Sequence, residues 1–235
     1  MRVPGGPAQG LPVEVVALAR RCGADPNLGA GSEVSISQTG VMRADARHPW
    51  AAFHARQTIA INESGFVWRA RTGPFGCVTV TDALKEVGAG LTVKALGLVP
   101  LARVPVDDML TKGELMRYLA ELPFSPDAIL HNASLQWEVL DSNTLRVAGV
   151  HGKVRAEVDL TIGADGLVSS AFSPARPRLE GALSVESPWR CVVSDYRLHE
   201  GRQLPFAAQA AWVIDGAETP VWRGKIEHWT VRPRA

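Results

Sequence analysis

Residues 135–162 read LQWEVLDSNTLRVAGVHGKVRAEVDLTI, and their alternation decides the fold class. Leu135, Trp137 and Val139 alternate with polar neighbours, and Val154, Ala156, Val158, Leu160 and Ile162 alternate with Lys153, Arg155, Glu157 and Asp159. Successive side chains of a strand point to opposite faces, so a period of two gives each segment one dry face and one wet face. Asp141-Ser-Asn143 and His151-Gly152 fall where such strands must turn, as do Asp165-Gly166, Glu200-Gly201 and Asp215-Gly216 further on. Gly, Asn and Asp reach the backbone conformations of tight turns at little cost. Consecutive strands are therefore expected to pair as antiparallel neighbours.

Upstream, segments rich in Val, Ile, Thr, Trp and Phe predict strands near 32–42, 50–61, 65–72, 76–86 and 90–98. Two stretches break the β period. Val13, Val16 and Leu18 lie near helical spacing between Pro12 and Gly23, which predicts an N-terminal helix over 13–22. Thr111-Lys-Gly-Glu114 has capping-box spacing, and Leu115, Leu119 and Leu122 follow at i, i+4 and i+7 until Pro123, which predicts a central helix over 111–122. The 22 glycines and 16 prolines among 235 residues agree with many turns, and the 46% hydrophobic content suffices for a substantial core. The predicted fold class is mostly β: one large curved antiparallel meander sheet, a half-barrel or open barrel, with an N-terminal helix and one central helix in a single β-rich domain over 1–235. Alternation alone leaves closed barrel, half-barrel and sandwich open.

Composition excludes several function classes. Twenty-five Lys and Arg against 24 Asp and Glu give a net charge of +1 with no basic run, so nothing points to nucleic acid. The first 23 residues hold only a short apolar stretch broken by Glu14 and ended by Arg20 and Arg21, which predicts a cytoplasmic chain without a transmembrane segment. No GxSxG elbow, phosphate loop or HExxH helix occurs, the six histidines are scattered, and neither Gly29-Ala-Gly31 nor Gly88-Ala-Gly90 completes a dinucleotide fingerprint. No metal, no cofactor and no assigned catalytic residue is expected. Cys22, Cys77 and Cys191 lack any CxxC spacing and read as small buried hydrophobes.

The candidate site residues come from two constellations. Seven tryptophans, including Trp68, Trp137 and Trp212, lie mostly in strand-like segments. They would either fill an ordinary core or line an apolar cavity inside a curled sheet. On the central helix, Glu114, Arg117, Tyr118 and Glu121 share one face. Arg117 would hold a carboxylate or phosphate headgroup, or Glu114 would act as acid or base if sequestered; alternatively the group is a cap with a solvated ion pair. Arg69, Arg71, Asp82, Lys94, Asp195, Arg197, Arg223 and Lys225 are expected on the wet side of the sheet, and Ser173-Pro-Ala-Arg-Pro-Arg178 reads as an exposed connection.

Gly65-Phe-Val-Trp68, the helix Gly113-Glu-Leu-Met-Arg-Tyr-Leu-Ala-Glu121, the strand lead-in Pro126 to Leu130, Asp195-Tyr-Arg197 and Trp222-Arg-Gly224 together resemble a bacterial domain family of unknown function over about residues 10–230. Some relatives carry an N-terminal membrane segment, and this chain departs from them there. The predicted architecture is also similar to that of the outer-membrane lipoprotein carriers, which implies lipids or similar apolar molecules as a ligand class without fixing the function. The leading expectation is a non-enzymatic protein holding a hydrophobic or lipid-like molecule in the concave face, with Trp68, Trp137 and Trp212 lining it and Arg117 at a polar rim. An enzyme using Glu114, Arg117 and Asp195 on a small apolar substrate is the alternative, and an interaction module with an exposed edge or apolar patch is a third. The oligomeric state cannot be read from these features.

Overall fold

The computed structural model describes residues 10–86, 88–95, 99–103, 107–180 and 183–234. The strands are β1 (Ser32–Met42), β2 (Ala51–Ala60), β3 (Phe66–Thr72), β4 (Val78–Lys85), β5 (Gly88–Ala95), β6 (Val99–Arg103), β7 (Gln136–Asp141), β8 (Thr144–His151), β9 (Val154–Ile162), β10 (Val168–Glu180), β11 (Leu183–His199), β12 (Arg202–Ile214) and β13 (Ala217–Pro233). They form one antiparallel sheet in the order β6-β5-β4-β3-β2-β1-β13-β12-β11-β10-β9-β8-β7. The chain meanders outward from β1 to β6, crosses to the opposite edge, and meanders back from β7 to β13. Its first and last strands therefore pair at the centre, from Ser32 with Pro233 to Met42 with Trp222. The turns expected at 141–143, 151–152, 165–166, 200–201 and 215–216 join consecutive strands, and Gly152, Gly166, Gly201 and Gly216 take the positive φ that such turns need. Of the expected strand 90–98, residues 96–98 lie outside the described residues, as do residues 1–9 of the N-terminal reading.

Helix α1 (Val13–Arg21) forms where the spacing predicted it. Helix α2 (Asp108–Ala120) begins earlier than expected because Asp107, not Thr111, is its cap: the Asp107 carboxylate accepts from Leu110 N at 2.7 Å. Thr111 lies inside the helix with its hydroxyl on Asp107 O at 2.8 Å, and Glu114 is buried rather than reaching back to a cap. The stretch after Pro126 is helix α3 (Asp127–His131), not a strand lead-in, since a proline at a helix start costs no hydrogen bond. Ser173–Arg178 is likewise no exposed connection. It runs inside β10, where the register with β11 shifts between Ser173 and Arg176.

Helix α2 packs against β4 and β5 on one side and against β8, β9 and β10 on the other. Six strands separate β4 from β10 in the sheet, so one helix about 10–12 Å wide can touch both only if the sheet curls around it. Among the described residues β6 and β7 remain unpaired edges, which makes the sheet an open half-barrel rather than a closed barrel or a sandwich. Helix α2 plugs it: Thr111, Gly113 to Met116 and Tyr118 to Ala120 are all buried. The lower end, where β2 turns into β3 and β11 into β12, is closed by α1, α2 and α3. There Trp229 Nε1 donates to Phe124 O at 2.7 Å, and Arg202 pairs with both oxygens of the fully buried Asp127 at 3.0 Å. Tyr118 Oη donates to Ala60 O at 3.2 Å while accepting from Asn132 at 2.9 Å.

Candidate functional site

Cross-strand neighbours share a face, so the registers trace what lines the concave wall. Asp82, Trp68, Gln57 and Ile36 sit opposite one another on β4, β3, β2 and β1, and Val78, Thr72, Phe53 and Gly40 form a row nearer the upper end. Met42 faces Trp222, and Trp212 faces Trp189, which faces Ser173. One aromatic stack and one pair of cross-strand indoles result, each meeting an arginine. In the first, Trp222 stacks on Phe53 with centroids 5.7 Å apart, Phe53 meets Trp68 edge-on at 5.5 Å, and the Arg117 guanidinium lies 5.3 Å from the Trp68 ring and 4.7 Å from Phe66. In the second, Arg176 lies 4.8 Å from Trp189 and 5.4 Å from Trp212.

Two glycines make the aromatic stack possible. A Cβ at Gly224 would sit 2.2 Å from the Trp222 ring, and one at Gly40 would sit 2.0 Å from Arg223 O and 2.8 Å from Phe53. The Trp222-Arg-Gly224 motif is thus a device for laying an indole flat against the sheet. Gly65-Phe-Val-Trp68 places two rings against Arg117, and the helix motif carries Glu114, Arg117 and Glu121. In Asp195-Tyr-Arg197, Asp195 takes φ 58° at a gap in the β11–β12 pairing that leaves the register unchanged, and Tyr196 donates to Val168 O at 2.8 Å.

Between the stack and the indole pair lies a buried polar cluster. Arg117 pairs with Asp82 and, through Nε, with Glu121 at 2.8 Å; Gln57 donates to Glu121 and also accepts from Gln38 at 2.8 Å, which in turn accepts from Trp68 Nε1 at 3.2 Å. Burial would draw Arg117 down, but Glu121 and Asp82 more than reverse this and hold it above its usual range. Glu114 faces Arg176 at 4.0 Å. Burial, followed by the Asp82 charge, pushes the Glu114 carboxyl up to about 8, against the weaker pull of Arg176 and Arg117. Charge counting gives the same answer: two guanidiniums face three carboxyls in a desolvated space, so one carboxyl keeps its proton. Glu114 Oε2 and Asp82 Oδ1 have no other partner among the described residues, which fits a proton shared between the two acids.

The structure thus brings Trp68, Glu114, Arg117 and Trp212 to one region and separates Tyr118 and Trp137 from it. Tyr118 is fully buried and anchors the plug to β2. Trp137 stands on the edge strand β7. Arg117 is interior rather than at a rim, because its carboxylate partners lie on β4 and on its own helix. Asp82, expected in solvent, is 7% exposed, since the sheet curls towards its face. Asp195 and Arg197 pair with each other on the exposed surface, away from the cluster. Phe53, Trp189 and Trp222, together with Arg176 and Glu121, complete the site. Only the tryptophan pattern and the helix face hinted at any of these.

Among the described residues the concave wall above the cluster is open. Met42, Val80, Ala210, Trp212 and Trp222 are half-buried, whereas the lower wall is fully packed. A groove of about 360 Å³ on the convex side, with Glu33, Glu63, Lys85, Glu86 and Arg234 in its walls, is charged and partly closed by the Arg234–Glu63 pair, so it does not suit an apolar guest. Burial pushes the Cys22 and Cys191 thiols up to about 12, which leaves them unreactive packing groups; Cys77 is half-buried. Among the described residues no three His, Cys, Asp or Glu side chains converge as a metal site, and no helix is long and apolar enough to cross a membrane.

Fold and site define a helix-plugged antiparallel half-barrel with an aromatic concave wall over a buried ionic floor. The chain belongs to DUF6544, a family of unknown function, whose pattern matches residues 5–224. No curated protein sequence matches the chain. Among solved structures it is similar to a LolA superfamily protein from Nitrosomonas europaea (12% identity, 94% of each chain covered, TM-score 0.49). It is similar also to a domain from Vibrio parahaemolyticus described as an outer membrane lipoprotein-sorting protein domain (7% identity, 93% and 92% covered, TM-score 0.48). A DUF1329 family protein from Desulfovibrio piger is similar at 10% identity, with 94% and 91% covered and a TM-score of 0.46.

Proposed function

We propose that the protein binds an apolar small molecule, or the hydrocarbon part of a lipid, in the upper mouth of the half-barrel, without catalysis. The observation that carries this is the half-burial of Trp212, Trp222, Met42 and Val80 on the concave wall directly above a fully packed plug. Large apolar side chains facing inward and still reached by water are the lining that a hydrophobic guest would dry, at about 25 cal/mol for each Å² covered. The test is titration with the neutral fluorophore N-phenyl-1-naphthylamine. Saturable binding with quenching of tryptophan emission is expected, weakened about tenfold in Trp212→Ala; absence of saturable binding by the folded protein would overturn the proposal.

A second reading is favoured by one observation: Glu114 is a buried carboxyl with an unpartnered Oε2, and burial and the Asp82 charge push it up to about 8, as suits a general acid. It predicts that any activity found on small apolar substrates is abolished in Glu114→Gln. An unchanged rate in that variant would remove Glu114 from the chemistry.

A further inference from the structure

The three arginines whose side chains turn inward, 14–17% exposed, are not equally satisfied. Arg117 has two carboxylate partners and Arg202 has both oxygens of Asp127. Arg176 has only one hydrogen bond among the described residues, from Nε to Gly113 O at 3.2 Å. Its closest carboxyl oxygen, on Glu114, is 4.0 Å away, beyond hydrogen-bond reach. Both terminal nitrogens are thus without an acceptor among the described residues.

The nearby charges do not make up the deficit. Asp82 and Glu121 are taken by Arg117, and Glu114 is the carboxyl that keeps a proton. Nearer the mouth, Glu186 is held by Lys112, while Arg178 donates to Ser187 Oγ at 2.8 Å and pairs with Glu180, so neither acid serves Arg176. Burial draws Arg176 down, with Glu114 only partly opposing it. The backbone aims this cation inward deliberately. Ser173 faces the concave side, and a side chain three residues on would ordinarily face away; the register shift between Ser173 and Arg176 turns Arg176 back in, between Trp189 and Trp212. A guanidinium fixed by indole faces with its terminal nitrogens free presents a fork that matches an oxyanion in two parallel hydrogen bonds.

We propose that the ligand is a single-chain amphiphile with an anionic head, its carboxylate or phosphate oxygens held by the terminal nitrogens of Arg176 and its hydrocarbon lying along Trp212 and Trp222. This rests on the apolar-ligand reading above and adds the headgroup to it. A fatty acid and an alkyl phosphate share this chemistry, and the experiment separates them from a free anion.

The full-length protein is titrated at pH 7 and low salt with dodecanoate, dodecyl phosphate, dodecanol and inorganic phosphate, each by displacement of N-phenyl-1-naphthylamine and by calorimetry. The expected result is that one or both anionic amphiphiles bind at least tenfold tighter than dodecanol, that inorganic phosphate binds far more weakly than dodecyl phosphate, and that Arg176→Gln removes the preference while leaving dodecanol binding in place. Arg176→Lys keeps part of the preference, and Arg155→Gln, on the exposed face of β9, leaves it unchanged. Equal affinity of the wild type for acid, phosphate and alcohol overturns the headgroup inference and leaves the apolar reading standing. Failure of all three amphiphiles overturns both. Inorganic phosphate binding as tightly as dodecyl phosphate shows a bare anion site and also overturns the inference. The headgroup comparison on the wild-type protein decides the matter even where Arg176→Gln does not fold.

Discussion

Replacing Glu114 with glutamine should make the protein more stable at alkaline pH and leave it nearly unchanged at pH 5. In the folded state burial and Asp82 keep the Glu114 proton to about pH 8, while in the unfolded chain the carboxyl releases it near its ordinary value of 4.5. Between those limits the folded state binds one proton more than the unfolded state, so stability falls as pH rises. Below 4.5 both states are protonated and above about 8 both are ionised, and the slope vanishes on either side. Each pH unit within the window costs about 1.4 kcal/mol, on the order of 5 kcal/mol across it. Glutamine is uncharged throughout and its amide can donate to Asp82 as the protonated acid does. Glu114→Gln should therefore match the wild type at pH 5 and exceed it by several kcal/mol at pH 9. Urea unfolding of both proteins at half-unit steps from pH 5 to 9 gives the difference directly, with the contribution of titrating groups outside the cluster cancelled. A difference that stays flat across this range, or that turns against the variant as pH rises, would refute the reasoning that one carboxyl of the cluster is protonated.

Three further outcomes follow from the packing. Asp127→Ala leaves Arg202, 14% exposed, with the Glu200 carbonyl but no counter-charge and should cost about 3 kcal/mol in urea unfolding, because a largely desolvated charge without its partner is far costlier than a lost surface pair. Gly40→Ala, whose Cβ would meet backbone oxygen at 2.0 Å and Phe53 at 2.8 Å, should lose about 1–3 kcal/mol and weaken probe binding through displacement of the Phe53 and Trp222 rings. Asp107→Ala should lower stability by about 1 kcal/mol through loss of the α2 cap, whereas Thr111→Val should cost less than that; the reverse order in thermal melts would return the cap to Thr111.

The strands and turns were legible because they are local: alternation along 135–162 and turn residues such as Asp215-Gly216 specify a hairpin without reference to the rest of the chain. The pairing of β1 with β13 was not, since nothing in Ser32–Met42 names a partner nearly two hundred residues away. That pairing makes one sheet from two meanders and curls it around α2. Asp82 shows the consequence for the site. On alternation alone it is one more polar strand residue, and only the curvature reveals that its face is the inside. Arg176 was missed for a different reason: prolines at 174 and 177 read as a loop, while the chain uses that stretch as an irregular strand that turns a side chain inward. The helix face bearing Glu114 and Arg117 was visible from i, i+3 spacing, but its burial, and hence its chemistry, belongs to the tertiary structure.

Whether the open upper wall holds an apolar molecule is read out by native mass spectrometry of the gently purified protein against its denatured mass, with organic extraction of whatever is released. An adduct of lipid or fatty-acid mass is expected, reproducible between preparations and absent or reduced in Trp212→Ala. A clean unliganded mass that remains unliganded after incubation with dodecanoate and N-phenyl-1-naphthylamine would contradict it.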